Sequence, residues 1–174
     1  MPAKNILSRL KGGDRRTIGR SDEVAAIVSK NPRLFPALMA GLWSDDSLVR
    51  MRAADAAEKI TRDERKLLQP YKKELLGLMA DTEEQEVRWH LAAIIPRLTL
   101  NAKERQLAAS LLNSYLEDSS SIVRTFALQG LADLARDDAG MRPAVLEVLR
   151  ESARNGTLAM KARSRKLLLR LERA

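Results

Sequence analysis

The residues with most chemical potential in this chain gather around one recurring dipeptide. A medium apolar residue followed by a basic one occurs at Val49-Arg50, Val87-Arg88, Val123-Arg124 and Met160-Lys161, at spacings of 38, 36 and 37 residues. Four cations at a steady period suggest a row of contacts for an anion. The only histidine, His90, follows Arg88 and Trp89, and Asp55 and Glu58 stand about one period earlier. A carboxylate that orients an imidazole is the arrangement of a general acid or base, with Arg97 as a further polar neighbour. The plainer reading is that such charges are solvated or paired three or four positions away, and Arg52, Lys59 and Arg62 lie at that reach of Asp55 and Glu58. The absence of cysteine excludes disulfides, thiolate metal sites and a cysteine nucleophile. One histidine with scattered carboxylates makes no metal set, and no Gly-rich phosphate loop or zinc motif is present. No catalytic residue, cofactor or metal ligand is assigned.

The elements that must position these residues follow from the same period. Counting from each apolar residue, offset four gives Ala53, Leu91, Ala127 and Ser164, and offset seven gives Ala56, Ile94, Gly130 and Leu167. Offset eight gives Ala57, Ile95, Leu131 and Leu168, and offset eleven gives Ile60, Leu98, Leu134 and Leu171. Offsets 0, 4, 7, 8 and 11 trace one face of a helix with a 3.6-residue period. Ser44, Thr82, Asp118 and Asn155, each six residues before the basic one, are expected to cap these helices through their side-chain acceptors. A shorter apolar set lies upstream: Leu38 and Leu42, Leu75 and Met79, Leu112 and Leu116, Leu149 with Ala153. Each repeat is therefore a helical hairpin, an A helix and then a B helix.

The B helices are expected at 46–61, 84–99, 120–136 and 158–172, with A helices centred on 36–43 and at 63–80, 102–117 and 141–154. Pro70 and Pro143 suit early positions or a kink in A helices, whereas Pro96 falls inside a B helix and should bend it. Two helices near 5–10 and 21–29, separated by Gly12-Gly13, form an N-terminal helical cap over 1–31. The array occupies 32–174, with repeats over 32–61, 62–100, 101–137 and 138–174.

The pattern of polar cap, short turn, Val-Arg and an Ala/Leu-rich helix, as in SDDSLVRMRAADAAEKI and DSSSIVRTFALQGLADLA, resembles the HEAT repeat, including the HEAT-like repeats of bacteria. The resemblance covers 32–174 and implies an all-α, α-α superhelix, a solenoid of four hairpins behind a helical cap. It also implies that Arg50, Arg88, Arg124 and Lys161 form a structural polar ladder between adjacent turns. HEAT arrays serve mainly as scaffolds, so the resemblance implies a noncatalytic scaffold whose concave B-helix surface holds a partner protein segment, a helix or extended peptide. The HEAT-like alkylpurine DNA glycosylases supply a second reading, nucleic-acid binding with Asp55 and Trp89 at the site. This chain departs from them in offering a single concave Trp and no basic excess in its middle. Phycobilin-lyase-like proteins share such repeats, but nothing here points to a bilin.

Charge distribution weighs on that alternative. The chain of 174 residues carries 31 basic and 23 acidic residues, a net +8. Residues 1–20 hold +5 and residues 154–174 hold +6, leaving 21–153 at −3. A phosphate-tracking groove needs basic residues spread along the middle, so the excess reads as solvated ends. Arg163, Arg165, Lys166 and Arg170 still crowd one helix as a candidate anion patch. Only two Phe, two Tyr and two Trp are present, which predicts an aliphatic core. No apolar run has the length of a bilayer span or signal peptide, and the expectation is a cytoplasmic chain with no membrane partner.

The partner surface is expected on B-helix positions opposite the apolar stripe, at offsets two, six and nine. It collects Met51, Asp55 and Glu58, then Trp89, then Thr125 and Gln129. Trp89, a rigid amphipathic side chain between Met51 and Thr125 of neighbouring repeats, is the expected anchor. If the phase is off by one residue, Trp89 is core instead.

Overall fold

A computed structural model describes residues 4–173, so positions 1–3 of the predicted cap and 174 of the predicted array lie outside the described residues. Among the described residues all regular structure is helical. The chain divides into two compact units, Met1–Tyr71 and Lys72–Ala174, a division that falls inside the predicted A helix over 63–80.

The first unit holds α1 (Lys4–Ser8), α2 (Ser21–Lys30), α3 (Phe35–Ala40) and α4 (Ser47–Ile60). Short 3-10 turns at Pro32–Leu34 and Gly41–Trp43 flank α3, and another, Arg65–Tyr71, closes the unit. Pro70 explains why 63–80 is not one helix: it supplies no N–H and disfavours α geometry at the preceding residue. Phe35 packs edge to face with Tyr71 at 6.0 Å between ring centroids. On α4 the predicted stripe Val49, Ala53, Ala56, Ala57 and Ile60 is buried, but so are Met51, Arg52, Asp55 and Glu58. Small alanines let neighbouring helices approach α4 closely, and α2 packs along it.

The second unit consists of three hairpins: α5 (Lys72–Asp81) with α6 (Gln85–Ile94), α7 (Ala102–Tyr115) with α8 (Ser121–Arg136), and α9 (Arg142–Asn155) with α10 (Leu158–Leu171). B helix α8 packs against both α6 and α10, while A helices α5 and α7 touch. The predicted stripe positions on these three helices are buried, with Leu168 half-buried. Each Leu or Ile so enclosed contributes roughly 2 kcal/mol relative to exposure. Gly130 marks a close approach of α8 and α6, since a Cβ there would lie 2.7 Å from the Ala92 carbonyl oxygen. Pro96 was expected inside a bent B helix over 84–99; instead α6 ends at Ile94 and the chain continues as a 3-10 turn, Ile95–Arg97.

The caps are displaced from the expected residues. Asp46, Ser120 and Thr157 accept from backbone amides of α4, α8 and α10, and Glu84 occupies the same place before α6 without capping it through its side chain. Ser44, Thr82 and Asp118 instead accept from the amide two residues on, making the turns that lead into those caps. Asn155 does neither, because its Nδ2 donates to Glu151. Residues of the same chemical type lie within two positions of each cap, and periodicity alone does not separate them.

Candidate functional site

In the first unit, the side chains assigned by sequence to a partner face are turned inward. Met51 and Asp55 are each 7 % exposed and Glu58 is 6 % exposed. Asp55 accepts from the Ser21 hydroxyl on α2 and from Lys59 Nζ, the latter at 2.7 Å. Lys59 also bonds Asp22, so α2 is stitched to α4 by two carboxylates and one ammonium. Burial opposes the Lys59 charge, but the hydrogen bonds to Asp22 and Asp55 outweigh it and hold its pKa above the ordinary lysine value. Glu58 takes a bidentate pair from Arg62 at 3.0 and 2.6 Å. The helical wheel missed this because it counted only stacking between hairpins, whereas α2 lies on the remaining face of α4.

Arg52 is not a surface partner of Asp55. It is 1 % exposed, and its guanidinium donates to the carbonyls of Leu10, Gly12, Asp14 and Thr17, with Nη1 2.7 Å from Leu10 O and 2.6 Å from Gly12 O. The loop between α1 and α2 therefore wraps a buried cation and presents it with carbonyl oxygens instead of a carboxylate. Gly19 completes the wrap at φ +54, where a Cβ would come within 2.7 Å of the Arg52 Cζ.

In the second unit the B-helix face is partly open. Trp89 on α6 is half-buried; its ring stacks on His90 and lies 5.0 Å from Phe126 on α8. Arg163 of α10 places its guanidinium 5.6 Å from the Phe126 centroid and donates to Gln129 Oε1 at 2.9 Å. Gln129 in turn donates to Asp133, which also receives Arg170 at 2.6 Å. An aromatic pair and a polar chain thus run across three successive B helices. Thr125 is buried and its hydroxyl is used on the Ser121 carbonyl, so the open face of α8 is Phe126, Gln129 and Asp133, about one residue round from the predicted phase. Phe126 was legible only as one of two phenylalanines; its contact with Trp89 depends on helix rotation.

His90 is 2 % exposed and donates Nδ1–H to the Glu86 carbonyl one turn back, which makes it a packed ring with a fixed tautomer. Among the described residues no three metal-ligating side chains converge, and no helix is long and apolar enough to cross a membrane.

The periodic cations differ from one another. Arg88 Nε donates to the Thr82 carbonyl at 2.7 Å, and its Nη1 reaches Asp118 in the next turn at 2.6 Å. Its guanidinium also sits 5.2 Å from the centroid of Tyr115, whose hydroxyl donates to the Met79 carbonyl at 2.7 Å. Burial raises the Tyr115 pKa, keeping the phenol neutral as that donor. Arg50 bonds the Ser44 carbonyl of its own turn. The side chains of Arg124 and Lys161 make no hydrogen bond or ion pair among the described residues, and the starts of α8 and α10 are joined instead by the Ser121 and Thr157 hydroxyls, 2.8 Å apart. Of the candidate anion patch, Arg163 and Arg170 are bonded to Gln129 and Asp133, while Arg165 and Lys166 are exposed. No protein-family model matches the chain, and comparison with curated proteins gives no match.

Proposed function

We propose that this chain is a noncatalytic, HEAT-like helical-repeat scaffold that holds a protein segment, a helix or extended peptide, on the B-helix face of its second unit. The observation that carries the reading is the half-buried Trp89 ring beside Phe126, with Arg163 over Phe126. Aromatic rings that are pre-packed on helices lose little entropy on binding, and an adjacent guanidinium supplies a directional contact to a carboxylate or carbonyl of the segment. Gln129 belongs to the same face. Burial of Asp55 under Ser21 and Lys59 and pairing of Arg163 and Arg170 give the glycosylase and nucleic-acid alternative little support.

The test is peptide display against the whole chain, followed by affinity measurement with Trp89→Ala. Enriched peptides should bind at least about tenfold more weakly to the variant, a loss of about 1.4 kcal/mol. The variant itself should lose clearly less than the roughly 3 to 5 kcal/mol expected for a fully buried Trp. Failure to enrich any peptide, or a collapse in melting temperature, overturns the reading. Binding of a short duplex at low salt with a steep salt slope would favour the nucleic-acid alternative.

A further inference from the structure

The second unit has a groove of about 650 Å³ between the turn entering α8 and the hairpin of α9 and α10. Leu116, Val148 and Met160 supply apolar lining, while Arg124, Glu117 and Glu151 are among its polar groups. Its volume falls within the roughly 300 to 1,000 Å³ range of small-ligand sites. Arg124 occupies the position that Arg88 occupies one hairpin earlier. Arg88 has Asp118 in the following turn; the equivalent residue facing Arg124 is Asn155, neutral and committed to Glu151. Arg124 Nε is buried without a hydrogen-bond partner, a state that costs a charged donor more than a neutral one.

Glu117 lines the same groove and has no ion-pair partner among the described residues, whereas Glu147 and Glu151 are paired with Arg150 and Arg154. Arg124 and Glu117 do not pair with each other. One open groove therefore carries an unpaired guanidinium, an exposed unpaired carboxylate and an apolar wall. Arg154 also lines the groove but is taken by Glu151, so a polyanion would satisfy Arg124 and meet the unpaired Glu117, and a simple cation would do the reverse. A ligand carrying one charge of each sign satisfies both.

We propose that this groove binds a zwitterion of the amino-acid or short-peptide class, its carboxylate on Arg124, its ammonium on Glu117 and an aliphatic side chain against Leu116, Val148 and Met160. The guanidinium offers the carboxylate a charge-assisted contact of the kind that Asp118 gives Arg88 within the fold. The site is separate from the Trp89 face and does not depend on it.

Titration of the whole chain with L-leucine, the dipeptide Leu-Leu, N-acetyl-L-leucine and L-leucinamide tests the assignment, followed by NMR or calorimetry. Leucine or Leu-Leu should bind, and the two probes that lack one charge should bind at least about tenfold more weakly. The arms also separate a free amino acid from a peptide as the natural source. Arg124→Gln should abolish binding while leaving the melting temperature unchanged or higher, because it removes an unpaired buried donor. Arg165→Gln, at an exposed position outside the groove, should change neither. No binding at 10 mM of either zwitterion, equal binding by the blocked probes, or destabilisation of Arg124→Gln would overturn the proposal.

Discussion

Helices α4 and α8 are built on the same spacing of apolar residues, and their remaining faces meet different fates. On α4 the offsets two, six and nine are Met51, Asp55 and Glu58, all buried, with α2 laid along the helix and the preceding loop closed on Arg52. On α8 the neighbours are α6 and α10, and Phe126, Gln129 and Asp133 stay half-exposed between them. A B helix at the first position of the chain is covered by a segment that is not a repeat, while one flanked by repeats keeps a face for other uses. The same wheel of residues therefore yields a core element in one unit and a surface in the other.

The sharpest way to break this contrast is at Arg52. Arg52→Ala would leave the carbonyls of Leu10, Gly12 and Thr17 without a donor, with Asp14 O still held by Thr17, and a void beneath the loop; the loss is on the order of 3 kcal/mol or more at about 1 kcal/mol or more for each carbonyl. Denaturant unfolding should register that loss, and hydrogen exchange should show α2 and α4 opening first. Retention of full protection in α2 would mean that the loop does not hold the covered face closed.

A smaller effect is expected at Arg88. Arg88→Gln leaves Asp118, whose side chain is 6 % exposed, with the Ser120 amide but without its cation, and should lower stability by about 2 to 3 kcal/mol. Set beside the neutral or favourable effect expected at Arg124, this would show that equal positions in the repeat do unequal work. Equal losses at both would merge them into one structural ladder.

The smallest effects concern pH and separate the two units by sign. The Lys59 pKa is raised, so its contribution is fully present below the unfolded value of about 10.4 and is lost as pH climbs through the folded value. Glu104, in the capping box of α7, has its pKa lowered by its hydrogen bond from Lys72 and then by the Asn101 amide. Its contribution is present above about 4.3 and is lost as pH falls through the folded value. Lys59→Met should flatten the alkaline limb of a stability profile, and Glu104→Gln the acid limb. A variant that flattened the opposite limb would contradict the assignment.

Sequence periodicity determined the helical class, the positions of the four B helices and the buried stripe, because a 3.6-residue apolar repeat has one low-energy solution in which those side chains leave water. It also singled out Trp89 and the four periodic cations by type. The caps were misplaced by two residues because a side chain with an acceptor oxygen stands at both candidate positions in every repeat. Tertiary structure alone decided what covers the second face of each helix, since that depends on which distant segment packs there. For that reason Asp55 became a buried partner of Ser21, Arg52 the centre of a carbonyl cage, and Phe126 the neighbour of Trp89. It also left Arg124 facing a groove where Arg88 faces a carboxylate, because the pairing is set by the residue in the next turn and by where that residue's own hydrogen bond goes.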